Sequence, residues 1–148
     1  MRPQFNPALY LVTDRPLCGE RGLETVVEAA VRGGVTLVQL REKNLEQDEF
    51  IRIARKVRNI TRPYGLPLII NDDVEVALAA GAEGVHIGQS DMAYPQARQR
   101  MGPDALIGLS VETMEQVRQA EEWDIDYLGI SPIFATPTKT DTAPPPGV

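Results

Sequence analysis

Three side chains on one extended segment could bind an anion together. In Gln39-Leu40-Arg41-Glu42-Lys43, residues 39, 41 and 43 alternate along the chain, so in a strand they point to the same side. Arginine offers a fork of donors and lysine a point charge, and both suit phosphate groups. The segment predicts a receptor for a diphosphate, although these residues alone would also suit a solvated, charged strand end.

Two carboxylates follow neighbouring apolar runs, about one strand–helix unit apart. Asp72 lies in the segment 71–73 and Asp91 in the segment 88–92. Mg²⁺ is typically held by one or two carboxylates together with substrate phosphates. Aspartate is also a frequent helix cap, so we expect Asp73 to cap the next helix and Asp72 and Asp91 to bind the metal.

Further polar groups come after the fifth and sixth apolar runs. Ser110 follows the fifth run, and Thr136-Pro137-Thr138-Lys139 follows the sixth. Taken separately, Ser110 is more typical of a helix N-cap, and the segment 136–139 is more typical of a polar loop. Their shared position at strand ends makes them candidates for the same site.

The chain has one histidine, His86, and one cysteine, Cys18. A single histidine at a strand end is most often a hydrogen-bonded wall residue, and no serine or cysteine nucleophile has an evident pairing with it. Cys18 lies in a glycine-rich segment without a partner thiol, and we interpret it as incidental. We interpret Trp123 and Tyr127 as packing residues at a helix–strand junction, and the residues leave the role of His86 open.

Short apolar runs and amphipathic stretches must position these side chains. The apolar runs, each predicted to be a buried strand, are 9–12, 36–40, 66–70, 84–87, 105–109 and 127–130. The clearest amphipathic stretches, predicted to be helices, are 23–32, 47–61 and 112–122. Strand and helix therefore alternate along the chain.

Because right-handed crossovers dominate such connections, the alternation predicts an α/β protein with a parallel sheet and helices outside it. A doubly wound open sheet and a barrel both satisfy that pattern. Polar residues follow nearly every strand, whereas an open sheet concentrates its ligands near one switch point. The pattern therefore favours a TIM (β/α)8-type barrel with only the first six strands in this chain, and residues 1–148 as one barrel domain.

Composition excludes several classes of protein. The 148 residues are 43% hydrophobic and 24% charged, which is typical of a globular domain with a core. The formal net charge of −6 argues against a nucleic-acid partner. The start of the chain lacks a signal-peptide pattern, and no apolar run approaches the roughly 20 residues that cross a bilayer. We expect a cytoplasmic protein that does not associate with membranes.

Taken together, these segments resemble the thiamine phosphate synthase (thiamine-phosphate pyrophosphorylase) family. The resemblance runs from Tyr10 to Lys139, and its specificity comes from the order and separation of several motifs. The segments that carry it are 9–14, 39–43, 71–72, 86–91, Ser110, 132–134 and 136–139.

The resemblance implies a Mg²⁺-dependent transferase that condenses hydroxymethylpyrimidine diphosphate with thiazole phosphate to give thiamine phosphate and pyrophosphate. In the family reaction pyrophosphate departs first, and the thiazole nitrogen captures the pyrimidinyl-methyl cation. This agrees with the residues, because none of them is an evident nucleophile and the task is to stabilise charge.

The resemblance also implies roles for particular residues. Asp72 and Asp91 would hold Mg²⁺, and Arg41, Lys43 and Lys139 are the candidates for catalysis. The implied substrate-binding residues are Gln39, Leu40, Arg41, Glu42, Lys43, Asn71, Ser110, Thr136, Pro137, Thr138 and Lys139, of which Thr136 and Thr138 would contact the thiazole phosphate.

The C-terminus departs from the family pattern. A barrel of this kind has eight strands and often a phosphate site after strands seven and eight, so we expect a truncated chain that lacks half of the thiazole-phosphate site. Six strands without closure would leave two edges, which favours pairing with another copy, a homo-oligomer. Two alternatives remain: a thiazole tautomerase-like relative, against which the diphosphate-binding set argues, and a non-catalytic, incomplete barrel that acts as a ligand-binding or subunit-pairing module.

Overall fold

A computed structural model describes residues 1–134 as six parallel strands that form a half-barrel, with helices between successive strands. The strands are β1 (Tyr10–Val12), β2 (Leu37–Leu40), β3 (Leu68–Asn71), β4 (Gly84–Ile87), β5 (Leu106–Val111) and β6 (Tyr127–Ile130). The helices are α1 (Arg15–Cys18), α2 (Leu23–Arg32), α3 (Gln47–Thr61), α4 (Val74–Ala80), α5 (Tyr94–Met101) and α6 (Met114–Glu121). Each strand pairs with its sequence neighbour, so the sheet order is β1-β2-β3-β4-β5-β6.

The structure confirms the predicted α/β class, the parallel sheet and the six strands. Helices α2 and α3 have the predicted bounds, whereas α6 begins at Met114, two residues later than predicted, because Thr113 is its N-cap. The predicted contacts of Thr136, Pro137, Thr138 and Lys139 lie outside the described residues. Within residues 1–134, no helix combines the length and the apolar character needed to cross a membrane.

Side-chain caps explain where two of the helices begin. Asp73 accepts a hydrogen bond from the backbone N–H of Val76 at 2.9 Å, which confirms its predicted role as the cap of α4. Thr113 and Gln116 form a reciprocal capping box at the start of α6, so Thr113 takes the capping position that Ser110 alone would have suggested. Ser110 therefore has its side chain available for another contact.

The apolar side chains form two layers because successive strand residues point to opposite faces. Val38, Leu40 and Ile70 point outward into the large core between the sheet and the helices. Leu37, Ile69 and Leu106 point inward and pack with Phe5 and Tyr10. This inner layer fills the half-barrel toward the N-terminal ends of the strands, so the space that remains lies toward their C-terminal ends.

A buried carboxylate ties the N-terminal ends of the last two strands together. Asp126, whose side chain is 5% exposed, accepts a hydrogen bond from the backbone N–H of Ile107 at 2.7 Å. The guanidinium groups of Arg98 and Arg2 lie 3.4 Å and 3.1 Å from its oxygens. Because Arg2 also pairs with Asp124, this cluster fastens the N-terminal segment under the sheet.

A Gly84→Ala substitution is expected to lower the free energy of unfolding by about 1–3 kcal/mol, since an added Cβ would overpack the junction of three strands. That Cβ would lie 2.3 Å from the carbonyl oxygen of Leu106 and 2.8 Å from Cδ1 of Ile69. Urea denaturation measures the loss. Gly33→Ala is the matched control, because its Cβ would lie 3.2 Å from the nearest oxygen at φ −77°. Equal losses in the two variants would contradict the packing argument.

Candidate functional site

A cavity of about 790 Å³ opens at the C-terminal ends of the strands, above the inner apolar layer. Its walls bring together residues that lie far apart in the sequence and that the sequence analysis selected for their chemistry. These residues are Gln39, Arg41, Lys43, Asn71, Asp72, His86, Asp91 and Ser110. These eight residues bring two cations, two carboxylates and several neutral donors into one space, and Glu112 adds a third carboxylate to the lining.

The side chains of the β2 segment alternate as the sequence analysis predicted, with residues 39, 41 and 43 facing the cavity. Gln39 lies deepest, is 5% exposed, and donates from Nε2 to the hydroxyl of Tyr10 at 2.7 Å. The backbone N–H of Arg41 donates to Thr13 Oγ1 at 3.0 Å, which fixes the end of the strand. Lys43 lies nearest the solvent and forms an ion pair with Asp72 at 2.5 Å.

The same alternation turns two predicted substrate-binding residues away from the cavity. Leu40 is fully buried in the outer core. The Glu42 side chain is 5% exposed and forms an ion pair with Arg15 at 3.2 Å. Neither side chain lines the cavity, so a contact of Leu40 or Glu42 with a ligand there would have to use the backbone.

The β3 end presents an unpaired donor and a strained turn. Nδ2 of Asn71 is buried, lies at the cavity and has no hydrogen-bond acceptor among the described residues, so a ligand acceptor would satisfy it. Asp72 has φ 66°, and within residues 1–134 it is the single non-glycine residue with positive φ. Its N–H donates to the carbonyl of His86 at 2.8 Å, which holds this uncommon conformation. Strain of this kind is frequent at functional sites.

Asp91 approaches Asp72 from the loop after β4. Its Oδ2 accepts the backbone N–H of Gly88 at 2.7 Å, which folds the loop back over the strand end. Burial raises the pKa of the Asp91 carboxyl, the hydrogen bond and the negative charge of Asp72 raise it further, and the Gly88 N–H opposes them. Two acidic side chains thus share one small volume.

This carboxylate pair fits a magnesium ion. Two facing carboxylates repel each other when both are ionised, and a divalent cation between them would relieve that repulsion. Within residues 1–134, no group of three or more His, Cys, Asp or Glu side chains is placed to hold a metal. A site with only two protein carboxylates suits Mg²⁺, which keeps several waters and takes further oxygens from substrate phosphates.

His86 has partners at both ring nitrogens. Nε2 lies 2.8 Å from Ser110 Oγ, and Nδ1 lies 3.1 Å from the hydroxyl of Tyr127. The expectation of a hydrogen-bonded wall residue is confirmed, but the expectation that no serine pairs with it is wrong. The two residues are 24 positions apart, and only the register of β4 with β5 brings them together.

Tyr127 packs against Phe5, with ring centroids 5.9 Å apart, as its interpretation as a packing residue predicted. It also faces the cavity, as does Tyr10, to which the sequence analysis gave no role in the site. Both line the cavity, and their hydroxyl oxygens lie 2.5 Å apart across the half-barrel. Trp123 does pack at a helix–strand junction, where it stacks on Tyr94 with ring centroids 5.0 Å apart. The register partner of Tyr127 is Gly108, two residues before the inward-facing Ser110, and this pairing places the tyrosine on the cavity side. No local sequence signal gives that register.

The chain is similar to proteins of one family throughout its length. A family model described as thiamine monophosphate synthase matches residues 9–148. A thiamine-phosphate synthase of Albidiferax ferrireducens is 57% identical over 140 residues, which are 95% of this chain and 64% of that protein. One from Solidesulfovibrio magneticus is 51% identical over 148 residues, covering all of this chain and 70% of that protein.

A solved structure shows the same likeness. The thiamine phosphate pyrophosphorylase of Pyrococcus furiosus is 38% identical with a TM-score of 0.78, covering 86% of this chain and 61% of that one. This chain thus spans less than two thirds of the length of the Albidiferax and Pyrococcus proteins.

Proposed function

We propose, since the chain belongs to the thiamine monophosphate synthase family, that its cavity binds hydroxymethylpyrimidine diphosphate and thiazole phosphate and joins them to give thiamine phosphate and pyrophosphate. One observation carries the proposal. The ends of β2, β3, β4 and β5 bring cations, carboxylates and neutral donors into a single cavity of about 790 Å³.

The outer part of the cavity suits a diphosphate. Arg41 supplies a planar fork of donors and Lys43 a mobile positive charge. The unpaired Nδ2 of Asn71 and the hydroxyl of Ser110 add two neutral donors on the same wall. Donors held in place before the reaction stabilise charge as it develops on the departing diphosphate, and no protein nucleophile is required.

Asp72 and Asp91 would hold Mg²⁺ in this proposal. When bound, the ion supplies positive charge that neutralises the diphosphate oxygens as the bond to carbon breaks. Lys43 already pairs with Asp72, so this lysine is positioned beside both the metal-binding carboxylates and the diphosphate.

The inner part of the cavity suits a flat heteroaromatic ring. Tyr10 and Tyr127 form its aromatic floor, and Gln39 offers an amide beside them. Its depth below the charged rim would keep water away from a carbocation, which water would otherwise capture.

The proposal extends to the finer fold and the partners. We assign residues 1–148 to a TIM (β/α)8-type barrel as one domain, and the cytoplasmic location predicted from the sequence belongs to the same proposal.

Lys139 would join the diphosphate site, and Thr136 and Thr138 would contact the thiazole phosphate, as the resemblance implies. The partners are small molecules, and pairing with another copy remains a prediction.

The assay supplies both phosphorylated substrates with Mg²⁺ and measures thiamine phosphate and pyrophosphate. Lys43→Gln is expected to lower kcat/KM by about 10- to 100-fold, because it removes a charge-assisted hydrogen bond to the diphosphate. Lys56→Gln is the matched control, since Lys56 lies on the surface in an ion pair with Glu24. Isomerisation of the thiazole without the pyrimidine substrate, or no turnover at all in the unmodified chain, would overturn the proposal.

A further inference from the structure

Gly108 lies between two ring-bearing residues on neighbouring strands. The sheet register pairs it with His86 of β4 on one side and with Tyr127 of β6 on the other. The backbones of β4 and β6 are two strand spacings apart, about 9–10 Å. The centroids of the two rings are nevertheless only 5.4 Å apart, with 33° between the ring planes. Both rings therefore lean toward each other over the backbone of Gly108.

This arrangement requires glycine because the Tyr127 ring occupies the space that a side chain at position 108 would need. A Cβ there would lie 2.2 Å from Cζ and 2.5 Å from the hydroxyl oxygen of Tyr127. It would also lie 2.5 Å from Nδ1 of His86. Gly108 does not have a positive φ, so the requirement comes from space and not from backbone conformation. With any other residue at 108, the two rings have to move.

The cavity is the side on which the Tyr127 ring has room to move. Phe5 already packs against this ring with centroids 5.9 Å apart, and Tyr10 meets it edge-on with centroids 5.6 Å apart. Tyr127 and His86 both line the cavity, whereas Gly108 is covered by them and does not. A side chain at 108 would thus push the rings into the cavity and make its inner part shallower.

We infer that Gly108 sets the depth of the inner cavity, and with it the preference for a diphosphate that carries a heteroaromatic ring over pyrophosphate itself. The identity of that ligand rests on the proposed function. Arg41 and Lys43 lie in the outer part of the cavity, so they would bind a bare pyrophosphate at either depth. Gly108 is a positioning residue on this assignment, because it acts through Tyr127 and His86 and touches no ligand.

The expected effect is large because pockets discriminate strongly on small changes in volume. One methylene group more or less in a pocket changes discrimination by about 10- to 200-fold. A Cβ at Gly108 adds a carbon beneath a ring that forms the cavity floor. The change should therefore be felt by the part of a ligand that rests on that floor and not by its phosphates.

Isothermal titration calorimetry in the presence of Mg²⁺ compares hydroxymethylpyrimidine diphosphate with inorganic pyrophosphate. In Gly108→Ala we expect the Kd of the pyrimidine compound to rise about 10- to 100-fold, whereas the Kd of pyrophosphate stays within about twofold. Gly84→Ala is the matched control, since its Cβ would be as crowded, 2.3 Å from the Leu106 carbonyl oxygen, but Gly84 does not line the cavity. The control should leave the ratio of the two constants unchanged.

Two results of the titration would overturn the inference. One is an equal loss of affinity for both ligands in Gly108→Ala, which would indicate general damage. The other is the same change of ratio in Gly84→Ala, which would show that crowding anywhere in the sheet has this effect.

A stability cycle tests the displacement of the ring without any ligand. In a Tyr127→Ala background, Gly108→Ala should lower the urea midpoint much less than it does in the unmodified protein, because the ring that it displaces is gone. Equal shifts in the two backgrounds would refute the role assigned to Gly108. Unequal shifts in a protein that binds pyrophosphate but not the pyrimidine compound would contradict the proposed function and leave the depth assignment standing.

Discussion

Asp91→Asn is expected to lower kcat by about 100- to 1000-fold, and at the same time to raise the melting temperature measured without Mg²⁺. The loss follows if Asp91 holds the ion that neutralises the departing diphosphate. The higher melting temperature follows because the Asp91 carboxylate is partly buried and lies beside the like charge of Asp72, whereas an amide carries no charge. Asparagine keeps an oxygen that can accept the Gly88 N–H, so the loop retains its hydrogen bond.

The sign of the stability change comes from the pKa of Asp91. Burial and Asp72 raise that pKa in the folded protein, so the ionised carboxylate is less favourable there than in the unfolded chain. The free energy of unfolding therefore falls as the pH rises from the ordinary carboxyl pKa through the raised one. Above the raised pKa the cost is fully present, and asparagine removes it.

Thermal unfolding with and without Mg²⁺ and pyrophosphate completes the test. Added ligand should raise the melting temperature of the unmodified protein and have much less effect on Asp91→Asn. Asp48→Asn, an exposed position in the first turn of α3, is the control and should retain activity. Undiminished turnover in Asp91→Asn would reject the metal assignment, and a fall in both activity and stability would indicate a structural role instead.

Asp126→Ala is expected to lower the free energy of unfolding by about 3–5 kcal/mol, since it leaves the largely buried guanidinium of Arg98 without its carboxylate and the backbone N–H of Ile107 without its acceptor. The side chain is 5% exposed and serves Ile107, Arg98 and Arg2 together. Its side chain lies at the N-terminal ends of β5 and β6 and does not line the cavity. Urea denaturation measures the loss, and the activity of the folded fraction should be unchanged.

Asp124→Ala is the matched control for that experiment. Asp124 also pairs with Arg2, but its side chain is 67% exposed, and ion pairs at such positions contribute about 0–1 kcal/mol. Its carbonyl, which accepts from Arg98, is unaffected by the substitution. Losses of similar size in the two variants would contradict the role assigned to burial.

The sequence predicted the architecture well because its signals are local. Apolar runs marked all six strands, and the helical periodicity placed α2 and α3 at their observed bounds. Helices α4 and α5 were not individually predicted. Val74–Ala80 is apolar at every position except Glu75, so no apolar stripe stands out, and Tyr94–Met101 begins without the side-chain cap that marks the equally short α6.

The part of the candidate site that depends on the alternation of side chains along a strand could be predicted from the sequence. Gln39, Arg41 and Lys43 face one cavity because alternate residues of a strand share a face, and the same rule turns Leu40 and Glu42 away. The contact between the hydroxyls of Tyr10 and Tyr127 could not be predicted in this way. Tyr10 and Tyr127 are 117 positions apart, and their contact depends on how strongly the sheet curves.

The sequence by itself determined the strand–helix rhythm, the family and the residues that carry charge at the strand ends, since each follows from residue types at short separations. Tertiary structure alone decided that Ser110 meets His86 and that Asp126 is buried beneath Arg2 and Arg98. The physical reason is that hydrogen bonding and burial act over a few ångströms in space. The register and the curvature of the sheet set those distances, and neither can be read from a short stretch of the sequence.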